Sequence, residues 1–581
     1  MADFAIGRSG RRFFAAPGRP LMLFVLAITV ILIAAPLFKI TLITLAPETI
    51  VAWRDVLWSR LSPNLFYKPL GNTMTIGASV AGGCVLIGGF LAWLVVMTDV
   101  PFRRTIAVLS TLPFMIPSFA AALAWGVLFR NDRIGGQVGY LEGLGFDIPN
   151  WLAWGMVPSL IVLITHYYSL TFTVIAAALA TVNSDLVEAA QMAGAKRRKI
   201  FFGIILPVTL PAVIAGGSLS FAGGVSNFAV PALLGLPVRM QTLSTRIYGM
   251  MEVGQTARGY VIAILLVLIS AFFLWLGNRL ITGRRSYATI TGKGGRAKRF
   301  DLGGLRWPLC VLAIAVSVFS TIVPVLVLIA SSFAPSSAEL FSNWTLHYWS
   351  GESTPTIAQG LAGVAHNPDI LSAIGITVGL GLTVAVCGTA LGLLISYSLV
   401  RAKRGVVPTV VSQLCFLPLF VPGIAFGAAY IALYGAPIGP LPALYGTFAL
   451  LVLAATAFLI PFAVQTGRAV IQQVSGDLEE SARLTGAGFL RRLMAITVPL
   501  SLRGLTAGGL LVFVKIVRDL SLVVLLFTPT MPVLSVVAFR YASEGFAQFA
   551  NAITVVILLI SITMSLLANK LQAKSQPWLK N

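Results

Sequence analysis

The segment Asp185 to Pro211 reads DLVEAAQMAGAKRRKIFFGIILPVTLP, and from Asp477 the chain returns to the same pattern as DLEESARLTGAGFLRRLMAITVPLSLR. Asp185, Leu186, Glu188, Ala190, Gly194, Ala195 and Pro207 recur as Asp477, Leu478, Glu480, Ala482, Gly486, Ala487 and Pro499, all at one offset of 292 residues. A repeat spaced so widely is too long for a solenoid unit and marks a duplicated domain. Two homologous halves in one polypeptide are expected.

The residue order inside each copy has a physical reading. The Asp can cap a helix N-terminus, and the Glu three positions on (Glu188, Glu480) stands where it would complete a capping-box arrangement. A short helix follows, and Gly194 and Gly486 supply the left-handed position that ends it. A basic, amphipathic helix then runs into apolar sequence near the proline. The product is a polar helix-turn-helix between two membrane spans, suited to docking on a soluble partner. A single copy would fit an ordinary basic interhelical loop equally well, whereas two copies in register favour the docking reading.

Glu188-Ala189-Ala190 followed by Gly194, then an apolar stretch containing Leu206-Pro207, resembles the signature loop of the membrane subunits of binding-protein-dependent ABC importers. In that family the loop is a coupling helix seated in a cleft of the ATPase subunit. The resemblance therefore assigns ATPase docking to Asp185, Glu188, Ala189, Ala190, Gly194 and Pro207, and to Asp477, Glu480, Ser481, Ala482, Gly486 and Pro499. Ser481 departs from the pattern, a small residue in place of a small residue that should leave docking intact.

Composition agrees with a polytopic membrane protein. Of 581 residues, 57% are hydrophobic and 10% charged, and the mean hydropathy is +0.91, beyond the range of a soluble globular chain. The net charge of +22 does not point to nucleic acid, because the basic residues form short clusters between long apolar runs, as membrane topology requires. Cys84, Cys310, Cys387 and Cys415 lie in or beside apolar runs, without metal-ligand or redox spacing, and read as small core hydrophobes. The run Leu21 to Phe38 follows Arg8, Arg11, Arg12 and Arg19 as a signal peptide would, but its length and lack of a small-x-small site favour a retained first span.

A core of roughly 30 Å takes about 20 residues to cross as a helix. Runs of that length fall at 21–45, 72–97, 105–129, 151–181, 201–235 and 258–281, and again at 307–332, 371–399, 407–434, 441–467, 495–528 and 550–569. The fold class is all-α and polytopic, with about 12 transmembrane helices in two homologous six-helix halves. The division is a segment 1–20, a first half 21–281 with coupling loop 185–211, a linker 282–306, a second half 307–569 with coupling loop 477–503, and a tail 570–581. The fourth and fifth runs of each half are long and contain Gly and Pro, so tilted, kinked or broken helices are expected there.

Lys and Arg set the orientation. With the N-terminus inside, the cytoplasmic segments hold Arg103 and Arg104, the cluster Lys196 to Lys199, and the linker residues Arg284, Arg285, Lys293, Arg296, Lys298 and Arg299. They also hold Arg401, Lys403, Arg404, Arg491, Arg492 and Lys570, while the stretch 332–370 has no Lys or Arg. Both signature loops, the linker and both termini are thus expected in the cytoplasm, the side where ATP is available.

The halves match elsewhere too. Leu112-Pro113-Phe-Met-Ile-Pro117 recurs as Leu417-Pro418-Leu-Phe-Val-Pro422 at an offset of 305. The proline pairs either are structural kinks or line the pathway, as interrupted helices at equivalent positions of two halves tend to do in transporters. In the fifth runs, SNFAVPALLG (226–235) and VRDLSLVVLLFTP (517–529) resemble segments of ferric-iron-type permeases, in which an acidic residue commonly stands where Asn227 and Asp519 stand. Asn227 departs from that pattern. Lys515, Arg518 and Asp519 either pair or face the pathway, or they snorkel at the outer interface. Pro117, Asn227, Pro422 and Asp519 are the candidate pathway residues, with the pathway expected between the halves.

His166, Tyr167 and Tyr168 have donor chemistry that suits iron, but no second ligand at helical spacing accompanies them, and ordinary packing is expected. His347 and His366 read as loop residues without partners. The linker stretch Ser286 to Gly295 lacks the G-x-x-x-x-G-K-[ST] order of a phosphate loop, and resembles instead the linker of fused ferric-iron-type permeases, including those of 2-aminoethylphosphonate systems.

The resemblance implies a fused permease of an ABC importer in the bacterial inner membrane, its halves related by a pseudo-two-fold about the membrane normal. It is expected to have no catalytic residues, no bound metal and no cofactor of its own. ATP and Mg would be used by a partner ATPase dimer at the loops, a periplasmic binding protein would deliver the solute, and nucleic acid is not a partner. Ferric iron is the favoured solute, with 2-aminoethylphosphonate, thiamine and polyamines as alternatives. A twelve-helix secondary transporter shares the span count, but it would carry an acidic Gly-Arg-Arg motif where this chain has Thr98-Asp-Val-Pro-Phe-Arg-Arg104, and it leaves the twin signature unexplained.

Overall fold

The computed structural model describes residues 19–182, 184–282, 300–353, 358–402 and 405–575. The basic linker run, the Ser286 to Gly295 stretch, Lys403, Arg404 and the side chain of Asp185 lie outside the described residues. Within them every helix or strand element is a helix, and the only bridges are isolated pairs such as Thr98 with Phe300. Among the described residues ten helices are long and apolar enough to cross a membrane, or up to 12 if two sharply bent pairs each make one span.

Helix packing decides how the bent pairs should be read. In the first repeat, Lys68–Met97 and Met156–Leu179 touch through close approaches that advance together along both chains. A Cβ on Gly83 would meet Ile164 at 2.6 Å, and one on Gly88 would meet the Tyr168 carbonyl at 2.6 Å. The two helices are therefore parallel, so the Met97 end and the Leu179 end share a side. The intervening pair, Arg103–Met115 and Ser118–Phe129, meets at 95° and has to carry the chain back across. The second repeat behaves alike: Gly392 approaches Ala463, Ser396 donates to the Val464 carbonyl, and the pair Val406–Leu419 and Gly423–Tyr434 bends by 113°. Small residues at these contacts allow the close backbone approach typical of membrane helices.

The breaks fall where the sequence placed the prolines in the third runs. Pro117 and Pro422 take up extended backbone, with φ and ψ of −57° and 139° and of −56° and 138°. Each follows a 3₁₀ turn and starts a new helix, since proline has no N–H for a continuing ladder. The fifth runs are broken too, after Leu206–Ser226 and Val498–Val517, and resume as short helices Ala229–Leu234 and Val523–Leu526. In the fourth runs, expected to be tilted, kinked or broken, the first is interrupted at Trp154 and Gly155, where Gly155 has φ +88°, before Met156–Leu179 crosses as one helix, and the second is one helix, Phe448–Ile471, with Pro461 in its interior.

Four π turns are described: Val30–Ala34, Pro63–Tyr67, Phe201–Ile205 and Leu493–Thr497. Each is followed two residues later by a proline: Pro36, Pro69, Pro207 or Pro499. A proline ring clashes with the carbonyl four residues back and cannot bond it, and a widened turn relieves the clash. In one case the released carbonyl is put to use, for Leu32 O accepts the buried Tyr430 hydroxyl at 2.7 Å.

The chain packs as two compact units. One comprises residues 1–51, 369–536 and 557–581, the other 52–368 and 537–556. The repeat seen in sequence and the packing unit are thus different divisions of the chain, because each repeat's first span belongs to the unit formed by the other repeat's core. Arg306–Ser331 lies in the unit of the first repeat, where Cys310 and Ala313 join the core, Ser317 meets Ser110 at 3.4 Å and Ser320 meets Tyr168 at 2.9 Å. Three of the four cysteines are buried, as their sequence setting implied.

Candidate functional site: twin loops and broken spans

The two signature loops fold alike. Ser184–Met192 and Gly476–Leu484 are short helices, and Gly194 and Gly486 follow them at φ +78° and +84°. In the first, the Ala195 N–H donates to Ala190 O and the Gly194 N–H to Gln191 O. In the second, Ala487 donates to Ala482 and Gly486 to Arg483. This crossed pair of bonds is the Schellman ending that a left-handed residue makes possible. Glu188, Ala189, Glu480 and Ser481 are exposed, Ala190 and Ala482 half-buried. At equivalent positions stand Met192 and Leu484, 86% and 89% exposed, an apolar residue held out in the open at the end of each helix. Pro207 and Pro499 lie further on, in the first turn of the following span, where they shape the entry to the membrane helix.

The N-terminal cap differs from the sequence expectation. In the second loop Ser475, with extended backbone, is the cap, and its hydroxyl accepts the Asp477 N–H at 3.2 Å. Asp477 sits within the first turn, where its charge still complements the helix dipole, and Glu480 forms no capping box.

A residue the motif did not flag anchors the second loop. Glu479 is 8% exposed. Its carboxylate accepts the Tyr397 hydroxyl at 2.7 Å, the Arg401 guanidinium at 3.0 Å and the Thr497 hydroxyl at 3.3 Å. Arg401 also donates to the Val474 carbonyl at 3.0 Å. The second spans match at an offset of 304, since Thr73 and Thr377 accept the Leu243 and Leu534 N–H groups alike, so the four counterparts in the first repeat are Trp93, Met97, Val187 and Ile205, an apolar set in which the last three are buried. One loop is tied to its second span by an ion pair, whereas at the equivalent positions of the other Met97, Val187 and Ile205 share one apolar cluster. The neighbouring Glu480 drew attention through the motif, while Glu479 acquires its partners from residues distant in sequence.

In both repeats the breaks of the third and fifth spans lie together. Asn227 Oδ1 accepts the Val230 N–H at 3.0 Å, capping the short helix beyond the break, and its amide donates to Ser118 Oγ at 2.9 Å and to the Tyr167 hydroxyl at 3.3 Å. Ser118 directly follows Pro117. In the second repeat Asp519 Oδ1 accepts the Leu522 N–H at 2.7 Å, and a Cβ on Gly423, directly after Pro422, would lie 3.1 Å from Leu522 N. Asn227 and Asp519 thus hold equivalent capping positions, which explains why an amide can stand in for the acid. The Lys515 ammonium lies 3.7 Å from the centre of the Phe462 ring, and Arg518 Nε donates to the Val514 carbonyl at 3.1 Å.

His166 is buried, its ring centroid 5.6 Å from that of Phe114 and 4.7 Å from that of Tyr167. Tyr167 itself reaches the break through Asn227, a link its sequence setting did not reveal. His347, expected without partners, lies edge-on to Tyr348 and Phe549. Among the described residues no group of three or more His, Cys, Asp or Glu could hold a metal ion.

One family profile, described as the binding-protein-dependent transport system inner membrane component, matches residues 84–286 and again residues 388–581. The chain belongs to this family. Each match begins in a second span and includes one signature loop. The family is one of transport permeases in the inner membrane, not of catalytic subunits, and implies an ATPase and a periplasmic binding protein as partners. A ferric transport system permease protein of Actinobacillus pleuropneumoniae is 24% identical over 545 residues, covering 90% of this chain and 72% of that protein. An Fe(3+)-transport system permease protein of Haemophilus influenzae is 24% identical over 518 residues, or 86% and 89% of the two chains. A protein named for 2-aminoethylphosphonate transport in Salmonella typhimurium is 26% identical over 176 residues, 29% of this chain and 59% of its own. The fused, two-half permease architecture is shared with the ferric relatives.

Proposed function

We propose that this permease forms the translocation pathway of an ATP-driven importer and that its two loops are the seats of a separate ATPase dimer. The observation that carries the docking assignment is the pair of matching Schellman-ended helices, each exposing an apolar residue, Met192 or Leu484, at the same place. Exposed large apolar residues on a shaped surface mark contact sites. Asp185, Glu188, Ala189, Ala190, Gly194 and Pro207, with Asp477, Glu480, Ser481, Ala482, Gly486 and Pro499, form or support these seats. ATP and Mg are used by the partner, and the loops and both termini face the cytoplasm. The halves rock between inward- and outward-open states as nucleotide binds and is hydrolysed, the two states being populated according to their differential affinity for partner and solute.

Pro117 and Asn227, with Pro422 and Asp519, lie at breaks that line the pathway, because irregular backbone at membrane depth is tolerated where it borders a cavity. Ferric iron is the favoured solute, supported by relatives that align with nearly the whole chain. The shorter match to a protein named for phosphonate transport supports the second reading. Uptake by proteoliposomes containing the permease, its ATPase and its binding protein should require ATP hydrolysis. Uptake driven by an ion gradient with no ATPase present would restore the secondary-transporter reading.

A further inference from the structure

Met156–Leu179 is about 36 Å long at 1.5 Å per residue, and at the end remote from the signature loop it begins beside a half-buried cation, Arg130. Arg130 caps the C-terminal end of Ser118–Phe129, and its guanidinium lies 5.2 Å from the centre of the Trp154 ring. Trp154 is fixed in turn. Its Nε1 donates to Asn131 Oδ1 at 3.0 Å, and the fully buried Asn131 donates through Nδ2 to Ile148 O and to Asn150 Oδ1. The cation therefore rests on a platform held by hydrogen bonds as well as packing.

Arg130 faces a cavity of about 320 Å³ that Gly126, Gly135, Gly136, Trp154 and Ser543 also line. No Asp or Glu is among its lining residues. Of the acids nearby in sequence, Asp147 pairs with Arg133 at 2.6 Å, Glu544 pairs with Arg540 at 3.4 Å, Glu142 accepts the Asp132 N–H at 3.1 Å through one oxygen while its other oxygen is buried without a partner, and the side chain of Asp132 is exposed. Among the described residues no ion pair includes Arg130, and its Nε is buried with no acceptor. The cavity wall is shaped to leave the guanidinium accessible. Gly135 and Gly136 turn past it at φ +89° and +86°, and a Cβ on Gly126 would lie 3.6 Å from one terminal nitrogen. A helix C-terminus favours a nearby cation, which accounts for the position of the charge but supplies no counter-ion. A half-buried charge without one is stabilised by an anion that enters the cavity beside it.

We infer that the Arg130 cavity is a binding site for a small oxyanion of the phosphate, sulfate or phosphonate class. The planar fork of a guanidinium matches two oxygens of such an ion, and Trp154 closes one face of the site. The existence of the site is independent of the importer reading, whereas its use in solute capture rests on that reading. An anionic lipid headgroup offers the same chemistry as a soluble ion.

The test is equilibrium binding of inorganic phosphate, sulfate and 2-aminoethylphosphonate to the full chain in phosphatidylcholine nanodiscs. At least one should bind saturably. Arg130→Gln should weaken binding roughly tenfold or more, the scale of a lost charge-assisted hydrogen bond, and Arg130→Lys by less. Gly126→Val keeps the charge but fills space beside it, and should weaken binding too. Unchanged thermal unfolding of anion-free variants establishes that they are folded. Failure of all three ions to bind the wild type, or equal binding by Arg130→Gln, overturns the inference. Loss of phosphate binding when phosphatidylglycerol is added to the discs would support the site and make a lipid headgroup its occupant. Stimulation of ATP hydrolysis by the binding protein is measured in parallel, so that loss of coupling with intact anion binding rejects the importer reading alone.

Discussion

At the scale of single residues, Asn227 and Asp519 show what a side chain must do and what it is free to vary. Both accept the N–H three residues on and so close the turn at a broken span. Asp519→Asn should leave membrane-extracted yield near wild type, because Asn227 performs the same capping in the other repeat, and a fall in uptake in this variant would measure the charge itself. Wild-type uptake would remove Asp519 from the pathway. Gly194→Val and Gly486→Val should each strain the loop by about 1–2 kcal/mol, the cost of a side chain in the left-handed region, and reduce co-purification with the ATPase while leaving the spans assembled. Wild-type association and uptake in both variants would refute this. The left-handed glycines were legible in sequence, since a short polar helix followed by Gly has few other endings. The cap was not, because Ser475 and Asp477 are both good cap residues and only the backbone angles of Ser475 decide between them.

At the scale of elements, the loops have one shape and two kinds of anchor. The motif was readable because its residues are neighbours in sequence. The anchor was not, because Tyr397 and Arg401 lie 82 and 78 residues from Glu479, a pairing that no local pattern records. The breaks in the third spans could be placed from Pro117 and Pro422, whereas in the fourth runs proline marks no break: Pro461 stays inside one helix, and the interruption of the first-repeat run falls at Gly155. The anchor makes a quantitative prediction. Glu479→Val alone leaves Arg401 partly buried without its carboxylate, a loss on the order of 3–5 kcal/mol for buried pairs, and should speed amide exchange across Gly476–Arg492. Replacing the four residues together as Tyr397→Trp, Arg401→Met, Glu479→Val and Thr497→Ile installs the apolar set of the first repeat. That variant should recover most of the protection, because exchanging a whole buried pair for apolar groups is often neutral. Exchange as fast as in the single variant would show that the apolar set cannot serve this loop.

At the scale of the whole molecule, the number of crossings decides whether the twin loops can serve one partner. Among the described residues five unbent spans separate Met192 from Leu484: Arg198–Ser226, Thr256–Gly277, Gly303–Ser331, Pro368–Arg401 and Phe448–Ile471. An odd number would put the loops on opposite sides of the membrane. The bent pair Val406–Leu419 and Gly423–Tyr434 restores an even number only if it crosses, and the parallel packing of the helices before and after it requires that it does. Neither arm could span alone, since 12 to 14 helical residues reach about 18–21 Å against a core of roughly 30 Å. A re-entrant hairpin, returning to its own side, would give the opposite result. Single cysteines at positions 192 and 484, both exposed, in a chain whose four native cysteines have been replaced, should therefore react with a membrane-impermeant maleimide only from the cytoplasmic side. Bound ATPase should shield both. Labelling of the two positions from opposite faces would show that the bent pair is re-entrant, and a single ATPase dimer could then not engage both loops. Labelling of both from the periplasmic face would keep the crossing count but invert the orientation drawn from the Lys and Arg distribution.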